Sequence, residues 1–189
     1  AFFIEDGIET KNRIEKNLGI STLKSWSLLN TDQTPATFWI TNPDNYFRGN
    51  HAAGSDRYGF WYDPPDHPTG PSATTDVCPK FVQIGEFSDN VAHSNQKYGL
   101  RLFHGQIPLK NPCSSVKDNS MKEWWLTNPA ITGEFHRLTA WKNKRNGAIS
   151  EDTGDIRFIG FKVADNVLGG IEVTYTGFSE PYISTRISD

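Results

Sequence analysis

The sequence lacks both an excess of positive charge and a long apolar run. Its 189 residues include 19 Lys and Arg against 22 Asp and Glu, which gives a formal net charge of −3. Proteins that bind nucleic acid usually show a clear positive excess, so we expect no nucleic-acid partner. A transmembrane helix needs about 20 consecutive, mostly apolar residues, and we expect no membrane span in this segment.

Cysteine is also scarce, and histidine is scattered. The two cysteines, Cys78 and Cys113, form neither a CxxC pair nor a four-ligand zinc set, and can be free thiols or one disulfide. The five histidines show no HxH or HExxH spacing. We therefore expect no metal site and no cofactor. Glycine (16) and proline (11) are abundant instead, which favours short strands joined by many turns.

Four segments of the chain repeat one pattern in a fixed register. Each begins with phenylalanine and has glycine twelve residues later. The phenylalanines are Phe47, Phe87, Phe135 and Phe158, and the glycines are Gly59, Gly99, Gly147 and Gly170. Small or branched apolar residues stand five positions after each phenylalanine: Ala52, Ala92, Ala140 and Val163. Eight positions after it stand Ser55, Asn95, Asn143 and Asn166.

The period of this repeat predicts an all-β solenoid, a parallel β-helix. The last two copies start 23 residues apart, which is too short for a βαβ unit of roughly 30 residues or more and sufficient for one β-helical coil. We expect the phenylalanines to stack inside the core and the asparagines to form a ladder of amide hydrogen bonds. We expect the recurring glycine to make a tight corner with positive φ.

Two long insertions interrupt the repeat. The first three copies start 40 and 48 residues apart, so extra residues must leave the coil at 63–80 and 104–129, both rich in Pro, Gly or Ser. A partial earlier coil matches at 12–20. We expect Trp124 and Trp125, in the second insertion, to cover the flank of the helix; the alternative is an exposed contact for sugar or protein.

The two insertions suggest how the cysteines pair. Cys78 and Cys113 lie in loops that leave successive coils at the same corner. Coils stack about 4.8 Å apart, which suits the Cα separation of a disulfide. We predict a Cys78–Cys113 bridge, with two free thiols as the alternative. A disulfide indicates an oxidising, extracellular or lumenal compartment.

Several segments resemble a known family in order along most of the chain. They are FFIEDGIETKN (2–12), TPATFWITNPDN (34–45), NHAAGSDRYGFWY (50–62), HPTGPS (67–72), IGEFSDNVAHSN (84–95) and LTAWKNKRNGA (138–148). The chain resembles the fibrocystin-L-like, G8-domain family of β-helix ectodomains, and less closely its hyaluronan-binding and hyaluronan-degrading cell-surface relatives. The resemblance implies a right-handed parallel β-helix of PbH1-type repeats in an extracellular, cell-surface or secreted protein. We therefore expect residues 1–189 to form a single β-helix segment of a larger extracellular chain.

Candidate catalytic residues are few. His51, Ser55 and Asp56 fall within one coil and cannot easily converge as a triad, whose members normally come from distant segments. The adjacent Glu5 and Asp6 are the best carboxylate pair for general acid–base cleavage of a glycosidic bond. His93 is a weak candidate proton donor. We expect the two carboxylates to cap a turn before Gly7 and His93 to pack on the helix wall.

A column of positive charge is the strongest candidate for ligand binding. Arg57, Lys97 and Arg145 each stand ten residues after a repeat phenylalanine. Tyr58 and Tyr98 follow the first two of these cations, and Arg101 adds a further one. Like charges one coil apart repel by about 1 kcal/mol or more, so we expect an anionic ligand or an acidic neighbour such as Asp56 to offset them. The alternative is an ordinary solvated corner.

These observations together favour a non-catalytic extracellular β-helix scaffold with a role in adhesion, surface-coat assembly or polysaccharide binding. The expected partners are an anionic polysaccharide, held by charge and by ring stacking against sugar faces, or neighbouring extracellular domains. One alternative is a depolymerase, a glycosidase that acts on hyaluronan or a similar anionic polysaccharide. Another is a purely structural repeat in a filament or a ciliary coat.

Overall fold

The chain forms three parallel β-sheets wound around one core. In the computed structural model, residues 1–25, 34–103, 105–114, 128–174 and 185–189 are described. Two of the sheets have six strands and the third has five, and each strand pairs in parallel with strands of neighbouring coils. No helix among these residues is long and apolar enough to cross a membrane.

Each sheet takes one strand from each coil. The first sheet contains β1 (Phe2–Ile4), β4 (Ala36–Ile40), β7 (Tyr58–Tyr62), β10 (Tyr98–Leu102), β13 (Asn146–Glu151) and β16 (Gly169–Thr174). The second contains β2 (Arg13–Glu15), β5 (Tyr46–Arg48), β8 (Glu86–Ser88), β11 (Gly133–His136), β14 (Ile156–Ile159) and β17 (Arg186–Ser188). The third contains β3 (Leu18–Ile20), β6 (His51–Ala53), β9 (Val91–His93), β12 (Thr139–Trp141) and β15 (Lys162–Ala164).

The chain visits the three sheets in the same order on every coil, so the fold is a parallel β-helix, as the repeat predicted. The predicted register is confirmed residue by residue. Phe47 pairs with Phe87 on the second sheet, and Phe135 pairs with Phe158. On the third sheet the small residues align in the same way, with Ala92 lying between Ala52 and Ala140. The segment 12–20, which matched the repeat only partly, supplies the strands β2 and β3 of a further coil.

The core consists of columns of identical or similar side chains. The four repeat phenylalanines are at most 1% exposed. On the first sheet Phe38 stacks on Phe60 with ring centroids 4.7 Å apart. Burying each such side chain contributes about 1.5–3 kcal/mol. Because the third sheet turns only alanine, glycine or valine inward, the large rings of the other two sheets fill the interior.

The predicted asparagine ladder is present. Asn95 donates from Nδ2 to Oδ1 of Asn143 at 2.9 Å, and Asn143 donates in the same way to Asn166 at 2.9 Å. The Asn95 Oδ1 also accepts from the backbone N–H of Ser55. These amides satisfy buried backbone groups at the corner between the third and first sheets, where an orphan donor would cost about 1–3 kcal/mol.

A second asparagine ladder was missed. Asn50 donates to Asn90 Oδ1 from its backbone N–H at 2.8 Å, and Asn17 donates to Asn50 Oδ1 in the same manner at 3.0 Å. Asn50 and Asn90 stand three residues after Phe47 and Phe87. The signal was therefore in the repeat, but the third and fourth copies carry Leu138 and Phe161 at this position.

The prediction of positive φ for the recurring glycine is wrong. Gly59, Gly99 and Gly147 lie inside strands β7, β10 and β13 and do not adopt positive φ. A Cβ on Gly99 would approach the carbonyl oxygen of Gly147 to 2.5 Å and the Cβ of Ala92 to 3.2 Å. Glycine recurs here because consecutive backbones and the alanine column come too close for any side chain.

The left-handed corners lie two and seven residues after the repeat phenylalanine. Positive φ occurs at the first of these positions in Lys16, Gly49, Asp89, Arg137 and Gly160, and at the second in Ser21, Gly54, Ser94, Lys142 and Asp165. Most of these residues carry side chains, which is uncommon at positive φ. Because the corner is held by pairing to both neighbouring coils, glycine is not required there.

The insertions leave the helix where the repeat predicted them, and the disulfide prediction is confirmed. The first spans the residues between Tyr62 and Glu86 and contains short 3₁₀ turns at Gly70–Ser72 and Pro79–Phe81. Cys78 is bonded to Cys113 of the second insertion, with Cα atoms 5.3 Å apart. Trp124 and Trp125 lie outside the described residues.

Replacing Gly99 by alanine should destabilise the fold strongly. The added Cβ meets backbone from the next coil, and overpacking of this kind costs about 3 kcal/mol. The matched control is Gly49→Asn, at a left-handed corner where a Cβ would meet only Lys16 Cγ at 3.7 Å, and the cost should stay below about 1 kcal/mol. Urea unfolding of both variants measures the difference, and equal midpoints would contradict the close-approach explanation.

Removing the disulfide should lower the free energy of unfolding by about 2–4 kcal/mol, because the bridge closes a long loop in the unfolded chain. The two cysteines are 35 residues apart. The test compares denaturant midpoints of the wild type and of the Cys78→Ser/Cys113→Ser variant, with and without reductant. Reductant should shift only the wild type, and a wild type that does not respond would show that the bridge adds nothing.

Candidate functional site

Three cations stack on consecutive coils at the corner between the third and first sheets. The backbone N–H of Lys97 donates to the carbonyl of Arg57 at 2.8 Å, and that of Arg145 donates to the carbonyl of Lys97 at 2.9 Å. On the next coil Leu168 continues this ladder of backbone hydrogen bonds, but its side chain is uncharged. We call Arg57, Lys97 and Arg145 the basic column. Its register agrees with the sequence analysis, and its role in binding remains a prediction.

The basic column carries positive charge that no ion pair of the described residues neutralises, although the charge of Glu172 acts on Arg145. Across the described parts of the chain, none of its three side chains forms an ion pair. Burial lowers the pKa of the Lys97 ammonium, and the Arg57 and Arg145 guanidiniums lower it further. Arg57 and Lys97 are half-buried and Arg145 is exposed. The column is therefore a surface where an anion would relieve repulsion.

Asp56, the expected acidic neighbour, stands beside Arg57 but forms no ion pair with it among the described residues. Its Oδ2 accepts from the backbone N–H of Lys24 at 2.8 Å, so the carboxylate is used to fix the preceding segment. At the equivalent position of the later coils stand Gln96 and the exposed Lys144. The charge of the corner therefore becomes more positive from the first repeat coil to the third.

The two tyrosines support the column from inside. Tyr58 and Tyr98 pair in register, and their rings stack with centroids 5.9 Å apart. They are only 2% and 8% exposed. Their faces are therefore not open for the stacking on a sugar that the sequence suggested. Arg145 instead donates from Nη1 to Tyr98 Oη at 3.3 Å, which raises the pKa of its guanidinium. The tyrosines thus position cations.

Arg101 belongs to the same cluster but is already engaged. It donates from Nη1 to Tyr58 Oη at 2.6 Å, and its guanidinium lies 5.7 Å from the centroid of the Trp61 ring. Its Nη2 is 3.7 Å from Glu151, and its side chain is 15% exposed. Arg101 therefore acts on the column through its charge, which contributes to the low pKa of Lys97, and not as an open ligand contact.

The histidines meet on the outer face of the third sheet. His51 and His93 are two positions out of register, yet their rings meet edge to face with centroids 5.0 Å apart. His93 stacks on Trp141 at 4.4 Å, and burial followed by the charges of His51 and Lys142 lowers its pKa. His93 thus packs against the helix wall.

The candidate carboxylates, Glu5 and Asp6, lie beside a different sheet from the one that contains His93. Glu5 and Asp6 follow β1 of the first sheet and precede Gly7, which adopts positive φ. Their backbone carbonyls accept from Thr41 Oγ1 at 2.6 Å and from the Thr69 N–H at 3.0 Å. These are bonds of the backbone, so the capping of the turn by the two carboxylates stays a prediction. Ser55 is fully buried and donates to the Pro35 carbonyl, which leaves it unable to act as a nucleophile.

Metal-binding groups do not cluster in the part of the chain that the structure describes. Within it, no three or more side chains of His, Cys, Asp and Glu are placed to hold an ion. The pair His51 and His93 provides two nitrogens without a carboxylate or thiolate neighbour. The basic column therefore remains the candidate functional site.

Comparison with known proteins identifies related chains. The family described as CEMIP beta-helix matches residues 1–100. Fibrocystin-L of Mus musculus is 42% identical over 173 residues, which cover 91% of this chain and 4% of that protein. The cell surface hyaluronidase CEMIP2 of Homo sapiens is 33% identical over 205 residues (89% and 15%), and the cell migration-inducing and hyaluronan-binding protein of Mus musculus is 30% identical over 213 residues (89% and 15%).

The chain thus spans only a small part of each relative's length. The names of two of these relatives refer to hyaluronan, one to its cleavage and one to its binding.

Proposed function

The chain belongs to the CEMIP beta-helix family, and we propose that it is a non-catalytic scaffold segment of a larger extracellular or cell-surface protein that holds an anionic polysaccharide on its basic column. The supporting observation is the stack of Arg57, Lys97 and Arg145 without an ion-pair partner in the described residues. A relative named for hyaluronan binding supports the same class of ligand.

The physical basis of the proposal is the electrostatic cost of the column. Cations one coil apart repel each other by about 1 kcal/mol or more at a dielectric typical of a protein surface. The arginines of the second sheet, by contrast, have carboxylate partners. On the second sheet Arg48 lies between Glu15 and Glu86, and Arg137 pairs with Asp89. The basic column is left without such partners, which favours a ligand that supplies them.

The non-catalytic part of the proposal rests on the placement of the candidate acids. Cleavage of a glycosidic bond needs two carboxyl groups that flank the bond. Glu5 and Asp6 are adjacent residues in one turn, and His93 lies on another sheet. The extracellular setting is supported by the disulfide, since such bonds persist in oxidising compartments.

The Arg57→Ala/Lys97→Ala/Arg145→Ala variant should bind anionic polysaccharide about 100-fold more weakly than wild type, because each lost contact is worth about 1 kcal/mol. Affinity electrophoresis through gels containing heparin or hyaluronan measures the change. The matched control is Lys11→Ala/Lys16→Ala/Arg186→Ala, which removes three exposed cations on or beside the second sheet. Unchanged binding by the first variant, or equal loss in both, would remove the column as the site.

A relative named as a hyaluronidase favours a second candidate, a depolymerase of hyaluronan-type polysaccharide. The two functions are separated by incubating the protein with size-defined hyaluronan and following chain length by gel electrophoresis. We expect the polymer to keep its length. Shortening that persists after affinity purification and is abolished by Glu5→Gln/Asp6→Asn would establish the depolymerase instead, with Glu9→Gln as the matched carboxylate control.

A further inference from the structure

The spacing of the basic column restricts the ligand that fits it. The three cations are tied together by backbone hydrogen bonds between consecutive coils. Their backbone positions are therefore one coil apart, about 4.8 Å, along the axis of the helix. A sugar in a linear polysaccharide advances by a similar length. One coil of the protein thus corresponds to about one sugar of a chain that lies parallel to the axis.

Lys97 is the residue that decides between ligands. A polymer with one carboxylate for every two sugars can match Arg57 and Arg145, which are two coils apart, but it leaves Lys97 between them without an anion. The positive charge of Lys97 is the least favourable of the three, because its side chain is half-buried and has a guanidinium on each side. Arg101 adds a third guanidinium to its surroundings. The middle position therefore gains most from an anion.

We propose, on the basis of the polysaccharide-binding function above, that the column prefers linear polysaccharides with an anionic group on nearly every sugar, as in sulfated uronic-acid polymers, over hyaluronan with its single carboxylate per disaccharide. Sulfate suits the site chemically, since its several oxygens accept charge-assisted hydrogen bonds from the planar guanidinium forks of Arg57 and Arg145.

The polarity of the corner adds a direction to this preference. On the first coil Asp56 stands beside Arg57, whereas on the third coil the exposed Lys144 stands beside Arg145. Lys142, also exposed, belongs to the same corner of the third coil. Glu172 also acts on Arg145, but the cations Lys142, Lys144 and Arg145 outnumber it. The most densely charged part of the ligand is therefore held at the third coil.

The test measures the affinities of heparin, chondroitin sulfate and hyaluronan of matched length for the immobilised full chain over a series of NaCl concentrations. We expect both sulfated polymers to bind at least about tenfold more tightly than hyaluronan, because affinity and its salt dependence grow with the number of ion contacts. For the sulfated polymers, Lys97→Gln should lower affinity and reduce the salt slope by about one. For hyaluronan the same change should leave the slope unaltered.

Two further variants keep the result interpretable. Lys97→Arg retains the charge and should keep the binding of the sulfated polymers, which a merely structural defect would not allow. Lys16→Gln removes an exposed lysine from another corner and should leave all three affinities unchanged. Thermal melting of each variant confirms that the fold is intact.

The possible failures are distinct. Equal or tighter binding of hyaluronan, or an equal effect of Lys97→Gln on all three polymers, would overturn the charge-density preference and leave the polysaccharide-binding function in place. Absence of binding by every polymer, or binding that the triple alanine variant of the column does not weaken, would overturn the proposed function itself.

Discussion

The parallel hydrogen-bond ladder between coils is the constraint on which the rest of the structure depends. It fixes each residue of one coil against its equivalent in the next, from Phe47 on Phe87 to Ala140 on Val163. Any side chain that recurs in the repeat must therefore contact copies of itself. Phenylalanine, alanine and asparagine gain from this arrangement through packing or amide hydrogen bonds, and these are the residues that recur inside.

The tightest corner of the coil shows how far this constraint reaches. Gly59, Ala92 and Asn95 meet there, and a Cβ on the glycine would contact the alanine column, the asparagine amide and the backbone of Gly99. The asparagine amide satisfies backbone groups that the corner would otherwise leave unpaired. Glycine, alanine and asparagine thus recur here for the same reason: the coils approach closely, and this constraint outweighs the local turn preference of each residue.

The same register produces the surface on which function is proposed. Repetition of a cation at one coil position forces like charges together. Among the described residues no carboxylate forms an ion pair with the basic column, and Glu172 acts on Arg145 only through its charge. On the second sheet the arginines have carboxylate partners, such as Glu86 for Arg48. The contrast between the two faces makes the basic column stand out as the position where stacking is unfavourable without a ligand.

The sequence by itself determined the period, the core columns, the Asn95 ladder and the order of the cations, because in a solenoid equal spacing along the chain becomes equal position in space. It also placed the insertions and paired their cysteines. Only the tertiary structure decided that Gly99 is extended, that the Tyr58 and Tyr98 rings are buried, and that Asp56 binds the Lys24 backbone. These outcomes depend on contacts between non-equivalent positions of different coils, whose distances are set by packing of the whole corner and not by the period.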